Sequence, residues 1–437
     1  MPSDIVTGGA GSAPADPGAT GCFGHRDEDS SLTIHRRDLL LTGTLAATAA
    51  AAHASTAVAQ VDTSARPSAQ ADASAAAYAA PAPEQKINVV SLRDIERQAE
   101  KVLPPFGFHF IAGGSGDEWT LRENEAAFDR LVIEPRFLSG VKTPNPATSI
   151  LGSKLSLPVL ASPMGMHGFA HAGKEAGTAK GTAAAGSLYV TPSVSNLSME
   201  EIAAAAGAGA KWFQIYFPED PGYAREQLQR AKAAGYTAIV LTVDATSFGN
   251  RERPAKLGLK PPPHLGFGNM PKSPALAGQN PDMQKKDLTF ADVAFCQKES
   301  GLPVIVKGVL TAGLASDCVK HGCAGVWVSN HGGRQLDHSP ATIAVLPKIA
   351  DAVGGKVPII VDSGIRRGQD VFRCLALGAS VVGIGRPLLY GLALGGAQGV
   401  EAVFQRLRTE LLMTMQLAGV ASVDKITADY VAPAVRS

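Results

Sequence analysis

The chain predicts an α/β fold: a (β/α)8 barrel of the TIM type, with an N-terminal helical extension and a long loop after the fourth strand. Three observations lead there. Apolar, β-rich runs recur eight times, at 157–162, 187–191, 212–216, 238–243, 303–307, 325–329, 358–362 and 380–385. Helix-like stretches lie between most of them, at 174–185, 199–206, 223–234, 312–321, 342–353 and 369–377. This alternation is the pattern of parallel strands joined by crossover helices. The third observation is chemical. Six of the eight runs end in polar side chains, and barrels carry their chemistry at the C-terminal ends of their strands.

In chain order, residues 1–59 read as an export signal. Arg36-Arg37 precede an apolar, alanine-rich run to Ala52, and Ala57-Val58-Ala59 fits a small-residue cleavage site. The paired arginines suggest the twin-arginine route to the periplasm, which carries folded proteins; without that signal the chain would be cytoplasmic. Asp38-Leu39 and the long leader depart from the usual pattern. The apolar run is too short to give a stable membrane span. Residues 60–85, rich in Ala, Ser, Pro and Gln, read as a flexible linker. The barrel domain takes 86–437. It opens with an amphipathic helix at 92–103 and a run at 108–112 leading into Gly113-Gly114. The gap at 245–288 is rich in Pro, Gly and Lys and reads as an active-site lid or mobile loop. A last helix is expected at 400–418.

Composition narrows the function. Apolar residues make up 45% and charged residues 18% of the 437, which permits a large core. A net charge of +1 gives no reason to expect nucleic acid as a partner. The five cysteines form no CxxC pair and no His/Cys cluster of zinc spacing, so no metal is expected.

The sharpest motif is Ser329-Asn330-His331-Gly332-Gly333-Arg334-Gln335, after the sixth run. It sets an imidazole three residues from a guanidinium, with two glycines between. A base beside a fixed cation suits deprotonation of an anionic substrate held by its carboxylate. Arg251, Arg334 and the Tyr216 hydroxyl are candidates to hold that carboxylate. Asp244 is placed to pair with His331 and favour the imidazolium formed after proton abstraction. The glycine-rich ends of runs seven and eight, Asp362-Ser363-Gly364-Ile365-Arg366 and Gly383-Ile384-Gly385-Arg386, fit a phosphorylated cofactor. Lys307 suits negative charge on a cofactor ring, and Gln214 and Thr242 suit its edge.

These residues resemble the FMN-dependent 2-hydroxy acid oxidase and dehydrogenase family, most of all its lactate-oxidising members, over about residues 88–425. The Ser-Asn-His-Gly-Gly-Arg-Gln stretch is similar to the family's active-site signature. Further matches are Gly116-Asp117-Glu118-Trp119-Thr120, His167-Gly168, Trp212-Phe213-Gln214-Ile215-Tyr216, Gly249-Asn250-Arg251 and Val306-Lys307-Gly308. The resemblance implies FMN as cofactor and His331 as catalytic base. Tyr216, Arg251 and Arg334 would bind substrate, with Asp244 supporting the histidine. Pro163, Met164, Gly165, Gln214, Thr242, Lys307, Ser329, Asp362, Ser363, Gly364, Ile365, Arg366, Gly385 and Arg386 would bind FMN. An (S)-2-hydroxy acid such as L-lactate would become the 2-oxo acid, with reoxidation by oxygen giving hydrogen peroxide, or by a quinone or cytochrome. Lactate 2-monooxygenase chemistry and a non-catalytic flavin- or hydroxy-acid-binding role are the competing expectations. The resemblance also suggests a homotetramer or octamer.

Three positions depart from the family pattern. Phe110 stands where a tyrosine usually donates to the substrate carboxylate. Pro192 stands where a serine often lies near the flavin edge. Gly165 replaces an alanine beside the reactive face, which would leave room for a bulkier substrate. The 245–288 lid has no tyrosine.

Overall fold

The computed structural model describes residue 78 and residues 83–262, 265–269 and 284–434. The leader expected at 1–59 lies outside the described residues, as does 270–283 of the lid. All that is described belongs to the unit spanning 64–437.

Eight parallel strands close on themselves: Val159–Ala161, Leu188–Pro192, Ala210–Ile215, Ile239–Thr242, Val304–Val309, Gly325–Val328, Ile359–Val361 and Val381–Ile384. The eighth pairs with the first, Val382 opposite Val159 and Ile384 opposite Ala161. Each is buried on both faces, so its sequence reads as an unbroken apolar run rather than an alternating one. The alternation is still there in space, because successive side chains leave a strand on opposite faces. Leu160, Val190, Trp212, Val240, Ile305, Trp327 and Ile360 pack inside the cylinder. Their neighbours Ala161, Phe213, Leu241, Val306, Val328 and Val361 pack outward under the helices. The hairpin of Thr148–Ile150 with Ser153–Leu155 adds Ile150 and Leu155 to the inner cluster.

That parity positions the site. Two residues beyond the inward-facing apolar layer come Ser162, Gln214, Thr242, Lys307, Ser329 and Asp362, and Gly383 in the eighth strand. The barrel interior therefore ends in a polar layer at its C-terminal mouth. Gly383 is required there: an added Cβ would lie 2.3 Å from Ser162 Oγ and 2.9 Å from the Trp327 ring. The fifth strand continues past Lys307 to Val309 through a register shift.

Three elements differ from expectation. A helix at Pro105–Ala112, with proline in its first turn, occupies what the sequence showed only as an apolar run. The helix at Leu92–Glu100 ends three residues early. The last helix starts at Arg386 and bends at Gly395 and Gly396, where Glu84 accepts from the Ala397 amide. Within the stretch 60–85, Tyr78 and residues 83–85 are described. Tyr78 is buried, with its hydroxyl accepting from the Gly107 amide at 2.9 Å, and the Gln85 amide bonds the Gly395 carbonyl. No helix among the described residues is long and apolar enough to cross a membrane.

Candidate active site

One cavity of about 610 Å³ opens at the C-terminal mouth. It is lined by Phe110, Pro163, Met164, Gly165, Tyr216, Arg251, Lys307, His331 and Arg334, by Asp362, Ser363, Gly364, Ile365 and Arg366, and by Gly385 and Arg386. The four other expected residues stand behind that wall. Asp244 backs His331, Ser329 backs Lys307, and Gln214 and Thr242 are buried and bonded to each other at 3.0 Å.

The imidazole is fixed from both ends. His331 Nδ1 lies 2.9 Å from Asp244 Oδ1 and Nε2 lies 3.2 Å from the Tyr216 hydroxyl. Burial would raise the Asp244 carboxyl, but His331 and Lys307 outweigh it and hold it below its usual range. An ionised carboxylate only accepts, so Nδ1 carries the proton and Nε2 keeps its lone pair. Burial lowers the His331 pKa from 6.5; Asp244 opposes this and Lys307 adds to it. The result is a neutral imidazole with its basic nitrogen facing the cavity beside Tyr216. His331 itself sits at φ +58, and Gly332 and Gly333 follow at +65 and +72. A side chain at Gly332 would meet Arg386 Nη1 at 2.7 Å, which explains the paired glycines.

The cations divide into two kinds. Lys307 is buried, donates to Ser329 Oγ at 2.9 Å and lies 3.7 Å from Asp362 Oδ2. Burial opposes its charge, yet Asp362 and Asp244 raise its pKa above the usual value. Arg334 and Arg386 instead cap the end of the 105–112 helix, whose last carbonyls lack partners within the helix. Arg334 Nη1 donates to the carbonyls of Phe110 at 2.7 Å and Gly113 at 3.0 Å. Arg386 donates to those of Ile111, Gly113 and Gly332, each at 2.9 Å. Arg251 donates to Gln335 Oε1 at 3.1 Å. Among the described residues, none of these three arginines pairs with a carboxylate. Burial, then Arg251 and Arg386, push the Arg334 guanidinium well below its usual range. An uncompensated cation cluster in a cavity calls for an anionic ligand.

The cofactor residues pass a separate test. Gly364 has φ +81, and an added Cβ would lie 2.0 Å from the Asn124 carbonyl oxygen. The Gly364 and Ile365 amides, and those of Gly385 and Arg386 at the start of the last helix, have no acceptor among the described residues. Four free amides at the seventh and eighth strand ends, with Arg366 beside them, fit a phosphate monoester. Arg366 also contacts Glu125 at 3.0 Å.

Beside Pro192, the Ser193 Oγ accepts from the Tyr216 amide at 3.3 Å. One expectation about the departures is overturned. Gly165 does not open space, because an added Cβ would lie 2.6 Å from the Val194 carbonyl oxygen. Sequence reasoning left out Ser162, 3.3 Å from Asp362 Oδ2, and Gln335, which donates to the carbonyls of Asp244 and Ser247. Both carried a signal: Ser162 through strand parity, and Gln335 through its place in the histidine motif.

A barrel whose mouth joins a phosphate cradle, a buried lysine and a histidine–arginine pair fits an enzyme that holds a phosphorylated cofactor and an anionic substrate. The chain belongs to the FMN-dependent dehydrogenase family, whose model matches residues 99–433. It is 43% identical to an L-lactate oxidase of Lactobacillus jensenii over 347 residues, covering 78% of this chain and 85% of that protein. It is 39% identical to a glycolate oxidase of Spinacia oleracea over 360 residues, 79% and 96% of the two chains. A solved lactate oxidase of Pediococcus acidilactici superposes with a TM-score of 0.78 at 42% identity, over 82% of this chain and 98% of that one. A mandelate oxidase solved with benzoyl-formic acid gives a TM-score of 0.74 at 36% identity, over 80% and 99%. FMN is accordingly the cofactor of this chain.

Proposed function

We propose that this protein oxidises an (S)-2-hydroxy acid to its 2-oxo acid with His331 as the base, oxygen as final acceptor and hydrogen peroxide as product. The observation that carries this reading is the pairing of a neutral, oriented imidazole with arginines that lack acidic partners among the described residues. Arg251 and Arg334 hold the substrate carboxylate through guanidinium nitrogens not engaged by any described residue. This sets the substrate hydroxyl at His331 Nε2, in place of the Tyr216 hydroxyl. His331 then takes a proton, and Asp244, already bonded to Nδ1, stabilises the imidazolium. Asp244 Oδ2 has no donor among the described residues, so its charge is directed at the imidazole and Lys307. FMN, when bound, supplies the two-electron acceptor. Free amides at Gly364, Ile365, Gly385 and Arg386 would hold its phosphate, and Lys307 would stabilise negative charge on its ring. Oxygen as acceptor draws support from the relatives named as oxidases.

The test is anaerobic. The purified holoprotein is mixed with a 2-hydroxy acid while flavin absorbance is followed, and air is then admitted with a peroxide assay. Bleaching followed by recovery and stoichiometric peroxide is expected. A flavin that no 2-hydroxy acid bleaches would overturn the reading. Bleaching without recovery in air would move the acceptor to a quinone or cytochrome. Export and a four- or eight-chain assembly belong to the same proposal; fractionation of the native cells and light scattering test them.

A further inference from the structure

The cavity continues beyond the groups the reaction needs. Phe110 stands at the join. The guanidinium carbons of Arg334 and Arg251 lie 5.0 and 6.0 Å from its ring. Its other neighbours are Phe106, stacked at 5.8 Å, and Phe169, edge-on at 4.8 Å; those two rings are 5.1 Å apart. Phe106 and Phe110 share one face of the 105–112 helix by their four-residue spacing. Met166, Leu265 and Phe267 extend this wall, and all of these side chains line the same cavity as His331. The wall is held in place: the Asn196 side-chain amide bonds the Gly266 carbonyl at 3.0 Å, and the Gly268 amide bonds the Ser195 carbonyl at 2.8 Å. Tyr78, from ahead of the barrel, braces it from behind. Its ring meets Phe169 edge-on at 6.2 Å, and its hydroxyl ties down Gly107 within the Phe106–Phe110 turn.

Resting on the reading above, we propose that the substrate class is the (S)-2-hydroxy acids with a large apolar side chain, aromatic above all, and that Tyr78 is a positioning residue for the wall that selects them. A carboxylate at Arg251 and Arg334 and a hydroxyl at His331 leave the third substituent to run past Phe110 toward Phe106 and Phe169. A methyl group or a hydrogen does not fill that space, whereas a benzyl or isobutyl group buries against three rings. One methylene in an apolar pocket changes specificity by about 10-fold or more, so a benzyl group should outdo a methyl by at least that factor.

The experiment compares kcat/KM and anaerobic flavin reduction for glycolate, L-lactate, (S)-2-hydroxy-4-methylpentanoate and (S)-3-phenyllactate on the holoenzyme. The expected order rises with apolar size, with phenyllactate at least about 10-fold above lactate. Lactate equal to or better than phenyllactate overturns the proposal. Reduction by none of the four overturns the underlying reaction instead. Phe106→Ala should lower the phenyllactate-to-lactate ratio of kcat/KM about 10-fold, and Tyr78→Phe should lower the same ratio by a smaller factor. Phe106→Leu, with flavin content measured, keeps the test decisive if the alanine variant fails to fold. Unchanged ratios in correctly folded variants would remove the wall, and Tyr78, from specificity.

Discussion

The floor and the mouth of the cavity are built on opposite electrostatic principles. On the floor, Lys307 contacts Ser329 and Asp362, Asp362 is met by Ser162 and Ser363, and Gln214 bonds Thr242. Each charge there has a protein partner, so the network is complete on folding. At the mouth, Arg251, Arg334 and Arg386 have carbonyl and amide acceptors but no carboxylate among the described residues. Satisfied polar networks make a rigid scaffold, while unpaired cations are completed only by a ligand. The contrast separates what holds the site in shape from what binds and reacts.

Substitutions can break that separation, and the largest effect belongs to the base. His331→Ala should slow flavin reduction about 10²- to 10⁴-fold while the protein keeps its flavin; full activity would remove His331 from the reaction. On the floor, Lys307→Met leaves the Asp362 carboxylate buried without its cation. Breaking a buried pair in this way costs about 3–5 kcal/mol, seen as a fall in Tm and loss of flavin. A variant as stable as the parent would show that the floor does not depend on this pair.

Asp244→Asn tests the link between the two regions. An opposite charge in contact changes proton affinity roughly 10- to 1,000-fold, and the rate should fall within that range. The sign is fixed by geometry. In the parent protein the His331 pKa is lowered from 6.5, so the acid limb of kcat/KM lies below pH 6.5 and activity rises with pH through it. Removing the Asp244 charge, which favours the imidazolium, moves the limb to still lower pH. A shift upward would mean that another group titrates.

At the mouth, Arg251→Met should weaken substrate binding about 10-fold or more, since a hydrogen bond to a charged group is worth about 1.5–3 kcal/mol. Tm should barely move, because Arg251 makes no ion pair among the described residues. A collapse in Tm would show the mouth to be as structural as the floor. The smallest change is a gain. Phe110→Tyr supplies a donor beside the same arginines and should tighten small hydroxy acids by about 10-fold. Unchanged affinity would mean that this ring does not meet the carboxylate.

Much of this was legible in the chain. The eight strands are buried over most of their length, so each is a dense apolar run, and the crossover helices between them repeat in order. The cofactor loops were legible because glycines at positive φ or close approach, such as Gly364 and Gly332, mark the sequence directly. His331, Arg334 and Lys307 were legible as polar groups where packing alone would place apolar ones.

Other features have no sequence signal because they depend on distant segments meeting. The Asp244–His331 contact spans 87 positions and the Arg334–Phe110 contact 224. Gly165 read as added room, but the Val194 carbonyl occupies that room. Phe106, Phe169 and Tyr78 are ordinary apolar residues in the chain and become one wall only when a helix, a loop after the first strand and the segment ahead of the barrel converge. Local sequence determined the strands, their order and the identity of the reactive groups, because burial and backbone conformation act residue by residue. Tertiary structure alone decided which charges are neutralised and which await a ligand, because electrostatic pairing is set by distance through space.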